Sequence, residues 1–174
     1  MPIEIEFFEV GASLGYWDFI REVPLFKIVD RPSGKNWNSR LKEEYEKLNY
    51  LKFLSQQNII FDKVEQDPHN EKIFNCEGHF PSGKEITFNI RLPVRYPKSI
   101  PIAEKFFIRD WYVGMESFKA ACFGKMKEKW RTDGRMGLAH FLVLLSYYTA
   151  IAAFSIATPK TKKVKKKKGG MKNG

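Results

Sequence analysis

The pattern of apolar and polar residues predicts one amphipathic helix followed by several strands. Between Asn36 and about Ser55, apolar residues recur at helical spacing, with lysines and glutamates between them. Three shorter stretches then have the length and turn boundaries of strands: Ile59–Glu65, Lys72–Phe80 and Glu85–Leu92. A fourth short strand is predicted at Ile102–Ile108.

Strict alternation indicates how these strands are arranged. In Glu85–Leu92, Ile86, Phe88 and Ile90 fall on one face and polar residues on the other, which is typical of an antiparallel sheet with one solvent-facing side. Trp111–Ala121 has no clean period and is predicted to be a loop. The order of helix, meander, irregular segment and apolar C-terminal helix indicates an α+β fold.

Residues 136–157 contain no Asp, Glu, Lys or Arg. A run of this length could cross a bilayer, with the basic residues after it on the cytosolic side. The alternative is a helix buried by protein, which we favour because small residues and the polar side chains of His140, Ser146, Thr149 and Ser155 interrupt the apolar run.

The net charge of +10 is concentrated at the C-terminus. Eight lysines follow Pro159, and without them the charge would be 10 − 8 = +2. We therefore divide the chain into an N-terminal extension (1–20), one domain (21–158) and a lysine-rich tail (159–174), which like-charge repulsion predicts to be disordered.

The tail is interpreted either as solubilising or as a weak, salt-sensitive contact with ribosome, RNA or anionic membrane. The lysines that would make this contact are Lys160, Lys162, Lys163, Lys165, Lys166, Lys167 and Lys168.

Cysteine usage favours a reducing, cytoplasmic location. Cys76 and Cys122 are 46 residues apart and form neither a disulfide framework nor a metal-ligand cluster. No basic-then-apolar signal pattern opens the sequence. We predict no metal and no organic cofactor, and we expect a monomer.

Cys122 is the candidate nucleophile. Acyl transfer through a cysteine requires an exposed thiolate, which positive surroundings stabilise. Lys119 and Lys125 lie close in sequence and are candidates for supporting the thiolate or a developing oxyanion. From the residues alone, we favour the interpretation that Cys122 is a small buried hydrophobic side chain, which is also our interpretation of Cys76.

Three sequence blocks carry a family resemblance. The helix block is Trp37–Tyr45 (WNSRLKEEY), the proline block is Leu92–Pro97 (LPVRYP), and the histidine block is Gly137–His140 (GLAH). In order and spacing, including the 26 residues from Tyr96 to Cys122, they resemble the conjugating enzyme of the ubiquitin-fold modifier, a branch of the ubiquitin-conjugating superfamily. The resemblance covers about residues 20–157.

The resemblance implies a ubiquitin-conjugating-enzyme-like core with an N-terminal helix, a meander of about four strands, an active-site cysteine loop and a C-terminal helix. It implies that Cys122 accepts a ubiquitin-like modifier as a thioester from an activating enzyme and passes it to a lysine with a ligase. Arg40, Lys42 and Glu43 would then lie where the activating enzyme docks. Tyr96 and Trp130 would be structural neighbours of the site.

Two departures leave alternatives open. The usual His-Pro-Asn motif before the cysteine is absent, since residues 110–114 read Asp-Trp-Tyr-Val-Gly. The family's Gly-Gly-Lys-Ile before its cysteine is here Phe-Lys-Ala-Ala at 118–121. An inactive scaffold of the same fold, binding ribosome, RNA or membrane through its tail, is the alternative. His140 is either a general base or, as we prefer, a core or capping histidine.

Overall fold

The computed structural model describes residues 21–54, 58–110 and 115–149, with side chains for all of these except 115–121. Its elements are α1 (Trp37–Leu48), a 3-10 turn (Asn49–Phe53), β1 (Ile60–Asp67), β2 (Asn70–His79), β3 (Glu85–Arg91), β4 (Ile102–Ile108), α2 (Met115–Lys129) and α3, described over 138–149. The protein is therefore α+β, as the pattern predicts. The predicted extension (1–20), the tail (159–174), the helix end at Ser55 and residues 150–157 of the apolar run lie outside the described residues.

The four strands form one antiparallel sheet in the order β1-β2-β3-β4. Sequential neighbours make this a meander, and each predicted strand end lies within two residues of the observed one. Phe74 pairs with Ile90, and Cys76 with Phe88, so that apolar positions of adjacent strands share a face. The predicted meander is confirmed.

The core lies between this apolar face of the sheet and α3. Ile86, Phe88 and Ile90 are at most 2% exposed, and every residue of α3 from 138 to 149 is buried. The Ser146 hydroxyl accepts a hydrogen bond from the Ile59 amide (2.9 Å), which joins α3 to the start of β1. This part of the apolar run is therefore buried by protein. Within the described ranges, no helix has the length and apolarity needed to cross a membrane.

The region before Cys122 differs from the prediction. Residues 115–121, predicted as loop, belong to α2, and Cys122 lies in the middle of that helix rather than in an active-site loop. The helix contains good helix-forming residues, including alanines, lysines and glutamates. Its apolar residues do not follow the 3.6-residue period, so the pattern gives no sign of a helix.

The buried face of α1 is unusual because it contains charged residues. Trp37, Arg40, Glu43 and Glu44 are buried, whereas the aromatic side chain of Tyr45 is 40% exposed. Buried charges require partners. These partners come from the segments before α1 and α3 and from the proline and histidine blocks, as described next.

Candidate functional site

A buried ion pair on α1 connects the sequence blocks. Arg40 is fully buried and Glu44 is 1% exposed. The Nε of Arg40 donates to Oε2 of Glu44 at 2.9 Å, an i,i+4 pair within the helix block. Desolvating both charges has a large cost, which is offset only when the remaining donors and acceptors are also satisfied.

The other N–H groups of Arg40 hold three segments together. Its Nη1 donates to the carbonyls of Ile28 (2.5 Å) and Gly134 (2.8 Å), and its Nη2 donates to that of Met136 (2.8 Å). The guanidinium carbon also lies 3.8 Å from the ring centroid of Phe26, a cation–π contact. Arg40 therefore fixes the segment before α1 and the segment before α3.

Glu44 completes the connection to the proline and histidine blocks. Its Oε2 accepts from the Tyr96 hydroxyl, and its Oε1 accepts from the Leu138 amide at 2.8 Å. Burial raises the pKa of Glu44, whereas Arg40, the Tyr96 hydroxyl and the Leu138 N–H act in the opposite direction. A carboxylate at the first turn of α3 is favourable, because helix N-termini carry unpaired N–H groups. We call Arg40, Glu44, Tyr96 and Leu138 the buried network.

His140 caps α3 from within. Its Nδ1 accepts from the Gly137 amide (3.1 Å), and its Nε2 donates to the Val23 carbonyl (3.0 Å). Burial lowers the pKa of His140 to about 4, so that the ring is neutral at physiological pH. Both nitrogens are engaged, which agrees with the predicted capping role and leaves no basic nitrogen for a general base.

Gly137 is required by close packing in the same turn. A Cβ atom there would lie 2.5 Å from ring carbons of Phe26 and 2.6 Å from Oε1 of Glu44. These distances are far inside van der Waals contact. The histidine block is therefore explained by packing and capping around the buried network.

Trp130 and Tyr96 each donate a hydrogen bond within the fold. The Trp130 indole donates to the Pro97 carbonyl at 3.0 Å, which holds the end of α2 against the proline block. The Tyr96–Pro97 peptide bond is cis, and Tyr96 is fully buried.

Cys122 is buried, contrary to the expected exposed thiolate. Its side chain is 0% exposed, and its Sγ lies 3.4 Å from Oγ1 of Thr149 and 3.8 Å from Sδ of Met126. Burial raises the pKa of Cys122 to about 12, with the Thr149 hydrogen bond acting to lower it. At pH 7 such a pKa leaves roughly one thiol in 10⁵ ionised. This conformation does not present a nucleophile.

The predicted lysine support is not what sets the state of this thiol. Lys125 is half-buried on α2, and the side chain of Lys119 lies outside the described ones. A dominant positive field would lower the pKa of Cys122, which is instead raised. Cys76 is 2% exposed, and burial raises its pKa to about 12, in keeping with its predicted structural role.

Two of the three predicted docking residues are part of the fold. Arg40 is inaccessible, and Glu43 is 8% exposed because it accepts from the amides of Lys27 (2.9 Å) and Ile28 (3.1 Å). Lys42 alone of the three is exposed, and its docking role stays a prediction. Sequence reasoning did not select Glu44, although its i,i+4 spacing from Arg40 was an available signal.

Comparison of the chain with protein-family models, with curated proteins and with solved structures finds no match. Among the described residues, no group of three or more His, Cys, Asp or Glu side chains is placed to hold a metal ion.

Proposed function

We propose that this protein is a conjugating enzyme of the ubiquitin-fold modifier type. It accepts a ubiquitin-like modifier as a thioester on Cys122 and passes it to a substrate lysine with a ligase. The observation that supports this most is the buried network, which takes Arg40 and Glu44 from the helix block, Tyr96 from the proline block and Leu138 from the histidine block. Blocks that are far apart in sequence serve one structural purpose, which supports the resemblance on which the proposal rests.

The chemistry consists of two acyl transfers. The Cys122 thiolate attacks the thioester carbonyl on the activating enzyme, a new C–S bond forms, and the activating enzyme's thiolate leaves. A substrate amine then attacks the Cys122 thioester, loses a proton as the amide forms, and releases the Cys122 thiolate. The chain needs no cofactor for either step, because ATP is consumed by the activating enzyme.

The proposal requires Cys122 to become accessible. In the described conformation, Met126 and Thr149 contact its sulfur, and burial keeps the thiol protonated. Charging therefore requires α2 and α3 to separate locally near these residues when the activating enzyme binds.

A charging assay tests the proposal. The protein is mixed with ATP, an activating enzyme and its ubiquitin-like modifier, and the products are separated without reductant. We expect an adduct that reductant removes, that Cys122→Ala abolishes and that Cys76→Ala leaves intact. Cys76 is the matched control because it is also a buried thiol with a raised pKa.

The burial of Cys122 favours a second candidate, an inactive scaffold of the same fold. Buried thiols with raised pKa values are ordinarily inert. The same assay separates the two functions. A folded protein that forms no adduct with any of a panel of charged activating enzymes would reject the enzyme and leave the scaffold.

A further inference from the structure

An apolar groove lies between the start of β4 and α2. Its volume is about 270 Å³; the half-buried Phe123 and the exposed Ile102 lie at its surface, and its floor includes Met126 and Phe141, which are at most 1% exposed. Among the described residues that line the groove, Lys127 is the one with a charged side chain. Ile102, on the β4 side, is 36% exposed. The groove therefore offers apolar contact beside a positive charge.

The stretch of sequence that supplies most of the groove's described lining has a positive net charge. Lys98 is exposed two residues before Ile100, a lining residue, and the bond from Trp130 to the Pro97 carbonyl holds this loop against the end of α2. Residues 91–135 contain eleven Lys and Arg against five Asp and Glu, whereas residues 21–90 contain eleven of each. Among the nearby acids, Glu104 is paired with Arg91, and Glu128 is exposed on α2. An occupant with negative charge is favoured.

The chain itself contains a segment with the complementary chemistry. Residues 2–10 read Pro-Ile-Glu-Ile-Glu-Phe-Phe-Glu-Val, with five large apolar side chains and three glutamates. Residues 1–20 as a whole contain four acidic residues and no Lys or Arg.

We propose that the groove between β4 and α2 binds the chain's own residues 2–10. The apolar side chains meet the groove lining, and the glutamates meet Lys98 and Lys127. The inference does not depend on thioester chemistry, since it rests on the groove, its charge and the composition of the segment.

The connection is long enough to place the segment there. The Val23 carbonyl accepts from His140, and the next residue, Phe141, lines the groove. Residues 11–22 can extend to about 40 Å, so their length does not limit the reach. Tethering gives an effective concentration on the order of millimolar, so that even a weak contact would be occupied.

Photocrosslinking of the full chain tests this inference. Phe7 is replaced by benzoylphenylalanine, and the crosslinked positions are mapped by mass spectrometry. We expect crosslinks to residues 100–103 or 123–127 in a product of monomer mass. Lys127→Glu should reduce their yield at least about fivefold, whereas Lys84→Glu should not. Lys84 is a matched exposed lysine, and it lies before β3 rather than at the groove.

The other outcomes overturn the proposal. Crosslinks elsewhere on the domain, or none, would mean that the segment does not occupy the groove. A product of dimer mass would show that a second copy supplies the segment. Equal yields in Lys127→Glu and Lys84→Glu, with both variants folded by circular dichroism, would show that Lys127 does not hold the segment in the groove and would overturn the proposal.

Discussion

At the scale of single residues, a conservative substitution in the Arg40–Glu44 pair should lower the free energy of unfolding more than one elsewhere on α1. Glu44→Gln keeps the shape of the side chain but leaves the Arg40 charge buried without its counter-ion. We expect a loss of about 3–5 kcal/mol in the free energy of unfolding, measured by urea denaturation. Glu46→Gln, an exposed position on the same helix, should change it by less than about 0.5 kcal/mol. A Glu44→Gln loss below about 1 kcal/mol would contradict the network's importance.

His140 should make stability depend on pH. Its pKa is lowered to about 4 by burial, so between about pH 4 and 6.5 the unfolded chain binds a proton that the folded chain excludes. The free energy of unfolding therefore falls as the pH falls, by roughly 2 kcal/mol from this group between pH 6.5 and 5. His140→Gln should show a correspondingly smaller drop in urea unfolding. An equal drop in both proteins would mean that His140 is not held neutral.

These residues also show why sequence reasoning misplaced some roles. The resemblance implied that Arg40 and Glu43 lie where an activating enzyme docks, which requires exposed side chains, and charged helix residues are normally exposed. Arg40 can be buried because its N–H groups donate to the carbonyls of Gly134 and Met136, which lie 94 and 96 residues further along the chain. No local pattern contains that information. The burial of Cys122 likewise depends on Thr149, 27 residues away on α3.

At the scale of elements, Cys122 and Met126, which contacts its sulfur, both lie on α2. Gly124 lies in this helix, and a Cβ atom added there would meet nothing within 4 Å. Gly124→Ala should therefore stabilise α2 by about 0.5–1 kcal/mol. If labelling of Cys122 proceeds through local opening of α2, this variant should slow maleimide labelling about two- to fivefold in a Cys76→Ala background.

Cys76 supplies the comparison for this labelling measurement. In a Cys122→Ala background, Cys76 on β2 should label more slowly than Cys122 does, because the central part of the sheet opens less readily than one helix. Equal labelling rates at the two thiols, slowed equally by Gly124→Ala, would indicate global unfolding and exclude local opening of α2.

The elements that the sequence predicts correctly are those in which apolar residues recur with a regular period. Alternation in β3 identified Ile86, Phe88 and Ile90 as core residues, and all three are buried. α2 was missed from Met115 because its apolar residues are not confined to one helical face in the sequence. A periodic pattern arises when one face of an element is buried and the other is exposed to solvent. It therefore cannot identify an element whose apolar and polar residues are not separated in this way.

At the scale of the whole molecule, charge is distributed very unevenly. Deleting residues 160–174 lowers the net charge from +10 to +2. We expect this variant to elute from an immobilised polyanion such as heparin at a clearly lower salt concentration, because fewer lysine side chains of the protein displace counter-ions from the polyanion. Its free energy of unfolding and its charging should be unchanged. A charging defect would mean that the tail contributes to the reaction, and unchanged elution would mean that it is not the polyanion contact.

The buried network also ties folding to the order of synthesis. Arg40 and Glu44 leave the ribosome long before their acceptors and donors at Gly134, Met136 and Leu138 exist. At about 5–20 residues per second, this interval lasts roughly 5 to 20 s. During that time Arg40 and Glu44 can pair with each other, but the backbone groups of Gly134, Met136 and Leu138 that allow the pair to be buried are not yet present. A nascent chain released before residue 138 therefore cannot bury α1 as the complete protein does, and it should remain a target for chaperones and proteases.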